Sequence, residues 1–314
     1  MMAKKKISIV AGCYNEEENI PHLYKRITEA MTQHPQHDFE IILIDNASQD
    51  KTFSVIKEIA SRDPRMKGIR NTRNFGHIRS PYYAFLSAQG DAVIAMASDL
   101  EDPPELISDF VRKWDEGFKV VIGVRKTSDE VGLFPILRKA YYYIISRISS
   151  VEQISNFTGF GLYDKEVMDQ LRNIDDPYPY FRGLISELGY ARAEVKFNKP
   201  VRQYGISKGN IFVYADTALL AVVNNTLVPL RLATISGALI SSFSMLVAFF
   251  YLFKKIMYWD SFDLGVAPIV VGGFALFGII FLFLGLIGEY IGLLVRHTIR
   301  RPLVVVDETV NLDE

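Results

Sequence analysis

Three carboxylates stand together directly after an apolar run, at Asp99, Glu101 and Asp102. Hard divalent cations such as Mg²⁺ or Mn²⁺ prefer oxygen ligands, and they often bind substrate phosphates through one or two carboxylates. Asp99 and Glu101 are two positions apart, so an extended backbone would direct both side chains the same way. The stretch therefore predicts a site for a divalent metal and a phosphorylated ligand, with Asp99 and Glu101 as the metal ligands.

The same stretch also has the composition of a helix start. Asp102 is a favourable N-cap residue, and Pro103 suits the first helical position. The two interpretations are compatible, because a cap at Asp102 would hold the loop while Asp99 and Glu101 face a ligand.

Apolar runs predict the elements that position these carboxylates. The run from Ala92 to Ala97 predicts the buried strand that ends at the acidic cluster. Further strands are predicted at Ile7–Ala11, Phe39–Ile44, Met66–Arg70, Lys119–Val124 and Ala193–Phe197. Helical segments alternate with the first five strands, which favours an α/β fold with a mostly parallel sheet in three layers.

Polar residues follow each of the first five predicted strands. They are Tyr14 to Glu16, Asp45 and Asn46, Arg73 and Asn74, Asp99 and Glu101, and Arg125. Ligands of open α/β sheets bind beyond the carboxyl ends of the strands, so these residues predict one shared site. The sequence contains neither a Gly-x-Gly-x-x-Gly fingerprint after the first strand nor a Gly-Lys-Ser/Thr loop, which disfavours a Rossmann dinucleotide site or a P-loop.

A second basic segment lies further along the chain. Arg202, Ser207 and Lys208 surround Gly205, a pattern that suits a flexible loop closing on an anion. A solvated surface turn is the alternative, and it is favoured unless other features point to phosphate.

Bulk composition narrows the function classes and the compartment. The net charge of −1 produces no field that would attract nucleic acid. The single cysteine, Cys13, excludes an intramolecular disulfide and fits a reducing compartment. The apolar segment after the N-terminal lysines is too short for a signal peptide, so we expect the N-terminal part to be cytoplasmic.

Apolar residues accumulate towards the C-terminus. Residues 209–229 predict an amphipathic interfacial helix. Two long apolar runs, at about 230–253 and 266–295, predict a pair of transmembrane helices within 230–296. A soluble helical hairpin is the alternative, but the length of the first uncharged run disfavours it. The predicted organisation is thus a cytoplasmic catalytic domain over 1–208, the interfacial helix, the membrane hairpin and a cytoplasmic tail over 297–314.

Charge and glycine patterns refine the expected membrane placement. Basic residues flank the hairpin where the chain enters and leaves it, which favours cytoplasmic termini, although Lys254 and Lys255 on the far loop oppose this orientation. The pattern Gly288-x-x-x-Gly292 allows close helix packing within one chain or between subunits, and we expect a homo-oligomer. The tail segment Pro302 to Val306 has strand character and would add to a sheet edge of its own or a neighbouring subunit.

Several motifs occur in a recognisable order. They are Cys13-Tyr14-Asn15-Glu16-Glu17-Glu18-Asn19-Ile20, Ile44-Asp45-Asn46-Ala47-Ser48, Arg73-Asn74-Phe75-Gly76, Asp99-Leu100-Glu101-Asp102-Pro103-Pro104-Glu105 and Arg202-x-x-Gly205-x-Ser207-Lys208. In this order the chain resembles glycosyltransferase family 2, in its polyprenyl-phosphate branch, which includes enzymes similar to dolichyl-phosphate mannose synthase and bacterial undecaprenyl-phosphate glycosyltransferases. The resemblance covers nearly the whole chain.

The resemblance implies a GT-A fold, a nucleotide-diphosphate sugar as donor, a polyprenyl phosphate in the membrane as acceptor, and Mg²⁺ or Mn²⁺ as cofactor. It implies a nucleotide-sugar site formed by Cys13, Tyr14, Glu16, Asp45, Asn46, Arg73, Asn74, Ser98 and Asp99. It implies phosphate contacts from Arg125, Arg138, Arg202, Ser207 and Lys208. The expected catalytic residues are Asp99, Glu101, Arg202 and Lys208.

The sequence departs from the family pattern at two places. The metal motif usually reads Asp-Ala-Asp-Leu-Gln, whereas here Ala97 stands at the first Asp and Glu101 at the Gln. Gly159 stands where many bacterial relatives carry an Asp. An anionic lipid phosphate needs positioning more than it needs a general base, so we expect an inverting transfer that tolerates Gly159.

The sequence leaves the sugar and the alternatives open. UDP-glucose and UDP-N-acetylglucosamine are the expected donors, and undecaprenyl phosphate in a bacterial inner membrane is the expected acceptor. A processive polysaccharide synthase is less favoured, because two spans do not readily form a pore and neither Trp114 nor Trp259 lies in a Gln-x-x-Arg-Trp motif. A non-catalytic membrane adaptor is the third hypothesis, suggested by Ala97 and Gly159.

Overall fold

The structure is a computed structural model. It describes residues 4–126, 154, 156–176, 179–200, 266–298 and 301–312, together with scattered positions between 228 and 257. Predictions for Arg138, Arg202, Ser207, Lys208 and the helix at 209–229 fall outside these residues. The chain forms two compact units, one of Met1–Arg147, Val151–Ala221 and Arg300–Glu314, the other of Ile148–Ser150 and Val222–Ile299.

Eight strands build the sheet of the first unit. They are β1 Lys5–Cys13, β2 His37–Asp45, β3 Met66–Asn71, β4 Ala92–Ala97, β5 Val120–Arg125, β6 Phe157–Asp164, β7 Arg192–Phe197 and β8 Val306–Val310. Their order is β7-β5-β6-β4-β1-β2-β3-β8. Strands β1 to β4 pair in parallel, as do β5 and β7, whereas β6 runs antiparallel to β4 and β5. The mostly parallel α/β sheet of the expected GT-A fold is therefore confirmed.

Helices alternate with the strands of this sheet. They are α1 Asn19–Met31, α2 Thr52–Arg62, α3 Gly76–Ser87, α4 Leu106–Asp115, α5 Lys165–Arg172 and α6 Phe181–Glu187. The described helix of the second unit is α7, Val266–Thr298. Among the residues whose side chains are described, no helix is long and apolar enough to cross a membrane.

Both faces of the sheet are covered, so its central strands are apolar on both sides. In β2, Ile41 and Leu43 belong to one core cluster, and Ile42 and Ile44 belong to the other. This alternation follows from the period of two in a strand. A strand buried on both faces reads as a continuous apolar run, which is why sequence alone finds it.

The C-terminal tail adds a strand to the sheet of its own chain. Strand β8 pairs antiparallel with β3, with Ile69 opposite Thr309. Asn311 secures the end of β8 by donating hydrogen bonds to the carbonyls of Ala60 and Met66, at 2.8 and 3.0 Å. The predicted tail strand thus lies in its own subunit, and it starts at Val306 rather than at Pro302.

Candidate functional site

A cavity of about 560 Å³ opens at the carboxyl ends of β4 and β5. Its charged lining consists of Asp99, Glu101, Asp102, Arg125 and Arg182. Helix α3 reaches the same cavity because its Pro81 packs against Gly12 at the end of β1, where even a Cβ atom would come within 2.7 Å of the proline ring. The acidic stretch of the sequence therefore does line a ligand-sized cavity.

The loop after β4 is a turn and not an extended segment. Leu100 has a φ of 62°, a left-handed conformation that is uncommon for a residue with a branched side chain. The Asp99 carboxylate accepts a hydrogen bond from the Glu101 N–H at 3.1 Å, which closes the turn. The expected extended geometry is wrong, although the turn still places both carboxylates along the cavity.

Asp102 holds this loop by a different contact from the one predicted. The N-cap residue of α4 is Glu105, so the predicted cap at Asp102 is wrong. The buried carboxylate of Asp102 instead accepts the Ala97 N–H at 3.0 Å and the Arg125 guanidinium at 3.2 Å. Burial raises the pKa of Asp102 above its ordinary value, although Arg125 acts in the opposite direction.

Glu101 is balanced by two cations from other parts of the chain. Its carboxylate lies 2.6 Å from the Lys199 ammonium and 3.9 Å from the Arg125 guanidinium. Lys199 lies two residues after the end of β7 and was not predicted as a site residue. Its only sequence signal is a positive charge three positions before Arg202, which is too common to identify a site.

The acidic loop suits a metal ion that is shared with a bound phosphate. Among the described residues, no group of three or more His, Cys, Asp or Glu side chains is placed to hold a metal. Mg²⁺ usually takes one or two carboxylates and completes its shell with substrate phosphate and water. Asp99 and Glu101 could supply these one or two carboxylate ligands, and the other ligands of the metal would have to come from phosphate and water.

The loop after β2 is held by neutral hydrogen bonds. The Asn46 amide donates to the Asn74 side chain at 2.9 Å and to the Gly76 carbonyl at 3.2 Å. Its side-chain oxygen accepts from the Asn71 amide at 3.1 Å and from the Phe75 N–H at 2.8 Å. These four bonds use the full capacity of the side chain. Asn46 therefore joins the loops after β2 and β3, and its predicted contact with a nucleoside stays a prediction.

Asp45, beside Asn46, keeps spare hydrogen-bonding capacity. Its Oδ1 accepts the Ser48 N–H at 3.0 Å. Its Oδ2 is buried, finds no hydrogen-bond donor among the described residues and lies 3.9 Å from the Arg70 guanidinium. Burial raises the pKa of this carboxyl. Asp45 thus has one oxygen without a hydrogen-bond donor among the described residues, and its predicted contact with the nucleoside stays a prediction.

The remaining residues of the predicted nucleotide site lie at neighbouring strand ends, outside the lining of the cavity. The Cys13 thiol is buried in the core, and burial strongly raises its pKa. The Glu16 carboxylate accepts the Asn19 amide at 2.6 Å. Ser98 donates to the Gly12 carbonyl at 2.8 Å, which joins the loops after β4 and β1. The Arg73 guanidinium is exposed and lies 3.9 Å from the centre of the Phe75 ring.

The structure thus groups only part of the predicted site. Asp99, Glu101 and Arg125 come together in the cavity, and Asn46 and Asn74 are hydrogen-bonded to each other outside its lining. Arg182 is a cavity residue that sequence reasoning missed, because one arginine in the segment Pro179-Tyr180-Phe181-Arg182 carries no specific pattern.

Comparisons with known proteins identify what the chain is similar to. The model of the family described as glycosyl transferase family 2 matches residues 8–172. A glycosyltransferase of Bacillus subtilis strain 168, YkcC, is 31% identical over 98% of this chain and 94% of its own length. The bactoprenol glucosyl transferase of Shigella phage SfV is 30% identical over 96% of this chain and 98% of its own length.

Solved structures match the chain at lower identity. The mannosyltransferase PcManGT from Pyrobaculum calidifontis is 15% identical, with a TM-score of 0.45, over 95% of this chain and 88% of its own. TarS from S. aureus, residues 1–349, is 17% identical, with a TM-score of 0.46, over 70% of this chain and 67% of its own.

Proposed function

The chain belongs to glycosyltransferase family 2 and is a glycosyltransferase, and from this premise we propose that it transfers a sugar to a polyprenyl phosphate in a membrane. The proposed donor is UDP-glucose or UDP-N-acetylglucosamine, and the proposed acceptor is undecaprenyl phosphate. Relatives matched over almost their entire length are bactoprenol glucosyl transferases, which supports this choice of acceptor. The product would be a lipid-monophosphate-linked sugar for modification of cell-envelope glycans.

One observation carries the proposal for the site. The cavity places the carboxylates Asp99 and Glu101 and the guanidinium of Arg125 against an apolar aromatic wall that includes Phe85 and Phe181. Acidic and basic groups suit a diphosphate with its metal and a second phosphate, whereas the aromatic wall suits the hydrocarbon of a lipid. A water-soluble acceptor would not need such a wall.

The proposed reaction is a direct displacement with inversion at the anomeric carbon. An oxygen of the lipid phosphate forms the new bond to that carbon while the bond to the nucleoside diphosphate breaks. The second pKa of a phosphate monoester is about 6, so the attacking oxygen is already anionic at neutral pH and needs no base. Gly159, which has no side chain to act as a base, is compatible with this chemistry.

The protein's charged groups have separate roles in this reaction. Arg125, which Asp102 holds in place, would contact phosphate oxygens. Asp99 and Glu101 would hold Mg²⁺ or Mn²⁺, which would neutralise charge on the departing diphosphate. Lys199 balances the charge of Glu101, and it would have to release that carboxylate to a metal.

Membrane attachment and self-association belong to the same proposal. We place the hairpin at 230–253 and 266–295 in a bacterial inner membrane, with the catalytic unit and both termini in the cytoplasm. Exposed side chains of the second unit support this placement because many are large and apolar; they include Phe243, Leu246, Phe277, Leu284, Ile291 and Leu294. The Gly288-x-x-x-Gly292 pattern is the proposed contact between subunits.

A donor panel tests the function. Purified protein in detergent receives undecaprenyl phosphate, a divalent metal and one radiolabelled nucleotide sugar at a time, and the lipid fraction is then extracted. We expect label in the lipid fraction with a UDP-sugar, and this label should depend on the lipid phosphate. Labelled polymer would favour a processive synthase. No transfer from any donor, with no metal-dependent thermal protection by UDP or GDP, would favour an adaptor.

A further inference from the structure

Arg182 differs from the other described arginine of the cavity in how its charge is balanced. Arg125 lies near the carboxylates of Asp102 and Glu101, at 3.2 and 3.9 Å. The half-buried guanidinium of Arg182 donates one long hydrogen bond, of 3.3 Å, to the Phe157 carbonyl and lies 5.4 Å from the Tyr180 ring. Among the described residues, no carboxylate forms an ion pair with Arg182. A guanidinium has five N–H donors, so this one retains donors for an anion.

The start of β6 lies next to the backbone of Arg125 and next to the guanidinium of Arg182. The backbone N–H of Arg125 donates to the Asn156 carbonyl at 3.1 Å, and the Arg182 guanidinium donates to the next carbonyl along, that of Phe157. Strand pairing sets Val124 opposite Phe157. Both side chains line the cavity. Two guanidinium groups that line one cavity can together bind a doubly charged anion.

From this arrangement we infer that Arg182 binds the phosphate of the lipid acceptor, together with Arg125. The inference rests on the proposed function and names a binding residue for it. A planar guanidinium group can donate two parallel hydrogen bonds to two oxygens of one phosphate, which fixes the orientation of the phosphate as well as adding affinity. Arg182 would thus hold the attacking oxygen in place, whereas the metal at Asp99 and Glu101 would serve the departing diphosphate.

The surroundings of Arg182 favour the acceptor over the donor as its ligand. Its neighbour Phe181 packs edge to face with Phe85, at 5.0 Å between ring centres, and stands 6.1 Å from Tyr82. This aromatic wall lines the cavity beside the guanidinium. A phosphate that carries a hydrocarbon chain would bury its first carbons against such a wall, whereas the diphosphate group of the donor has no apolar surface to bury there.

Gly159 keeps the wall beside Arg182 free of a counter-charge. Its φ of 103° is a conformation that residues with a side chain rarely adopt. A Cβ atom at this position would also come within 3.2 Å of the Phe181 ring. A carboxylate is therefore disfavoured here on steric grounds, and its absence leaves the positive charge of Arg182 available to a ligand.

Substitution of Arg182, with a matched control, tests the inference by steady-state kinetics. Arg182→Gln should raise the KM for undecaprenyl phosphate by about 10- to 100-fold, since a charge-assisted pair is lost. The KM for the nucleotide sugar should stay within about threefold of the wild-type value. Arg182→Lys should restore part of the acceptor affinity, because it restores the charge but not the paired geometry.

Arg172→Gln is the control for a purely structural arginine. Arg172 also donates to backbone carbonyls, those of Leu86 and Ala88, but it does not line the cavity. Its substitution should lower the thermal midpoint of unfolding and leave both KM values unchanged. If Arg182→Gln behaves in the same way, with a lower midpoint and an unchanged acceptor KM, the inference is overturned.

A binding experiment separates this inference from the proposed function. Thermal shifts of the wild-type protein and Arg182→Gln are compared in farnesyl phosphate, farnesol and inorganic phosphate. We expect farnesyl phosphate to protect the wild type more than either other probe, and Arg182→Gln to lose that protection. Equal protection of both proteins would overturn the inference even where sugar transfer is observed. Absence of sugar transfer in the wild type, with Arg182-dependent protection by farnesyl phosphate, would refute the proposed function alone.

Discussion

The loops after β2 and β4 lie at the same edge of the sheet, yet they satisfy their buried polar groups in different ways. Asn46, after β2, makes all of its hydrogen bonds with neutral groups of the adjoining loops. Asp102 and Glu101, after β4, are paired with cations from β5 and from the segment after β7. The first loop has a fixed shape, whereas the second contains charges that a charged ligand can compete for.

This difference suggests a division of labour along the sheet edge. Neutral, saturated hydrogen bonds give a rigid surface whose shape is set before a ligand binds. Ion pairs at a cavity can be exchanged, because a metal or a phosphate can replace one partner of each pair. We therefore expect substitutions in the first loop to act mainly on stability, and those in the second loop mainly on turnover and metal use.

The largest expected effect is at Asp99. Asp99→Asn keeps the size of the side chain but removes the charge that would hold the metal, so kcat for sugar transfer should fall by about 10²- to 10³-fold. The free energy of unfolding should change little. Asp109→Asn, on the outer surface of α4, is the control and should retain normal turnover. Full activity of Asp99→Asn would contradict the assignment of the β4 loop to chemistry.

Removal of the Asn46 side chain should have the next largest effect, and it should act on stability. Asn46→Ala leaves the Phe75 N–H without its acceptor and leaves the Asn71 amide with only one of its two acceptors, the Ser80 hydroxyl. Each buried group that loses its partner costs about 1–3 kcal/mol, so we expect a loss of about 2–4 kcal/mol in denaturant unfolding. Gln49→Ala, at an exposed position, should cost less than about 0.5 kcal/mol. A loss below about 1 kcal/mol at Asn46 would show that the loop is not held by this network.

The pH dependence of the free energy of unfolding should reveal the buried carboxyl group of Asp102. Burial raises its pKa in the folded protein above 3.8, its ordinary value. The folded state then binds the proton more tightly than the unfolded chain does. The contribution of this carboxyl to the free energy of unfolding therefore falls as the pH rises through its pKa in the folded protein. One such group gives a slope of up to about 1.4 kcal/mol per pH unit.

Asp102→Asn removes this titration, and urea unfolding at several pH values measures the result. Relative to the variant, the wild-type protein should lose stability as the pH rises from about 4 through the raised pKa of Asp102. A wild-type protein that gains stability relative to Asp102→Asn over that range would mean that the Arg125 ion pair outweighs burial.

The smallest expected effect concerns Lys199. Its ammonium group is exposed, and an exposed ion pair contributes about 0–1 kcal/mol, so Lys199→Ala should barely alter stability. The Glu101 carboxylate would lose its competing cation, and the Mg²⁺ concentration needed for half-maximal turnover should fall about threefold. Lys196→Ala, at an exposed position of β7, is the control. An unchanged metal requirement in Lys199→Ala would argue against Glu101 as a metal ligand.

Much of the fold could be predicted because its signals are local. Strands β1, β2, β4 and β5 contain apolar runs bounded by polar residues, and β4 matches its predicted bounds of Ala92 and Ala97. Strand β6 was missed because glycines at 159 and 161 weaken its strand signal. Its place between β4 and β5 follows from long-range pairing, which local sequence does not encode.

The site was predictable in part for the same reason. Asp99, Glu101 and Arg125 follow predicted strands directly, so their gathering at one edge follows from the parallel sheet. Lys199 and Arg182 reach the cavity region from distant parts of the chain, without a motif. The left-handed conformation of Leu100 was also unpredictable, because nothing about leucine favours it.

The identity of the lipid product tests the central claim most directly. The wild-type protein is incubated with undecaprenyl phosphate, a divalent metal and the donor that gives most transfer, and the extracted lipid is analysed by mass spectrometry. We predict undecaprenyl phosphate that carries one sugar through a single phosphate. A lipid with a diphosphate linkage, a chain of several sugars, or no sugar-bearing lipid with any donor would contradict the account.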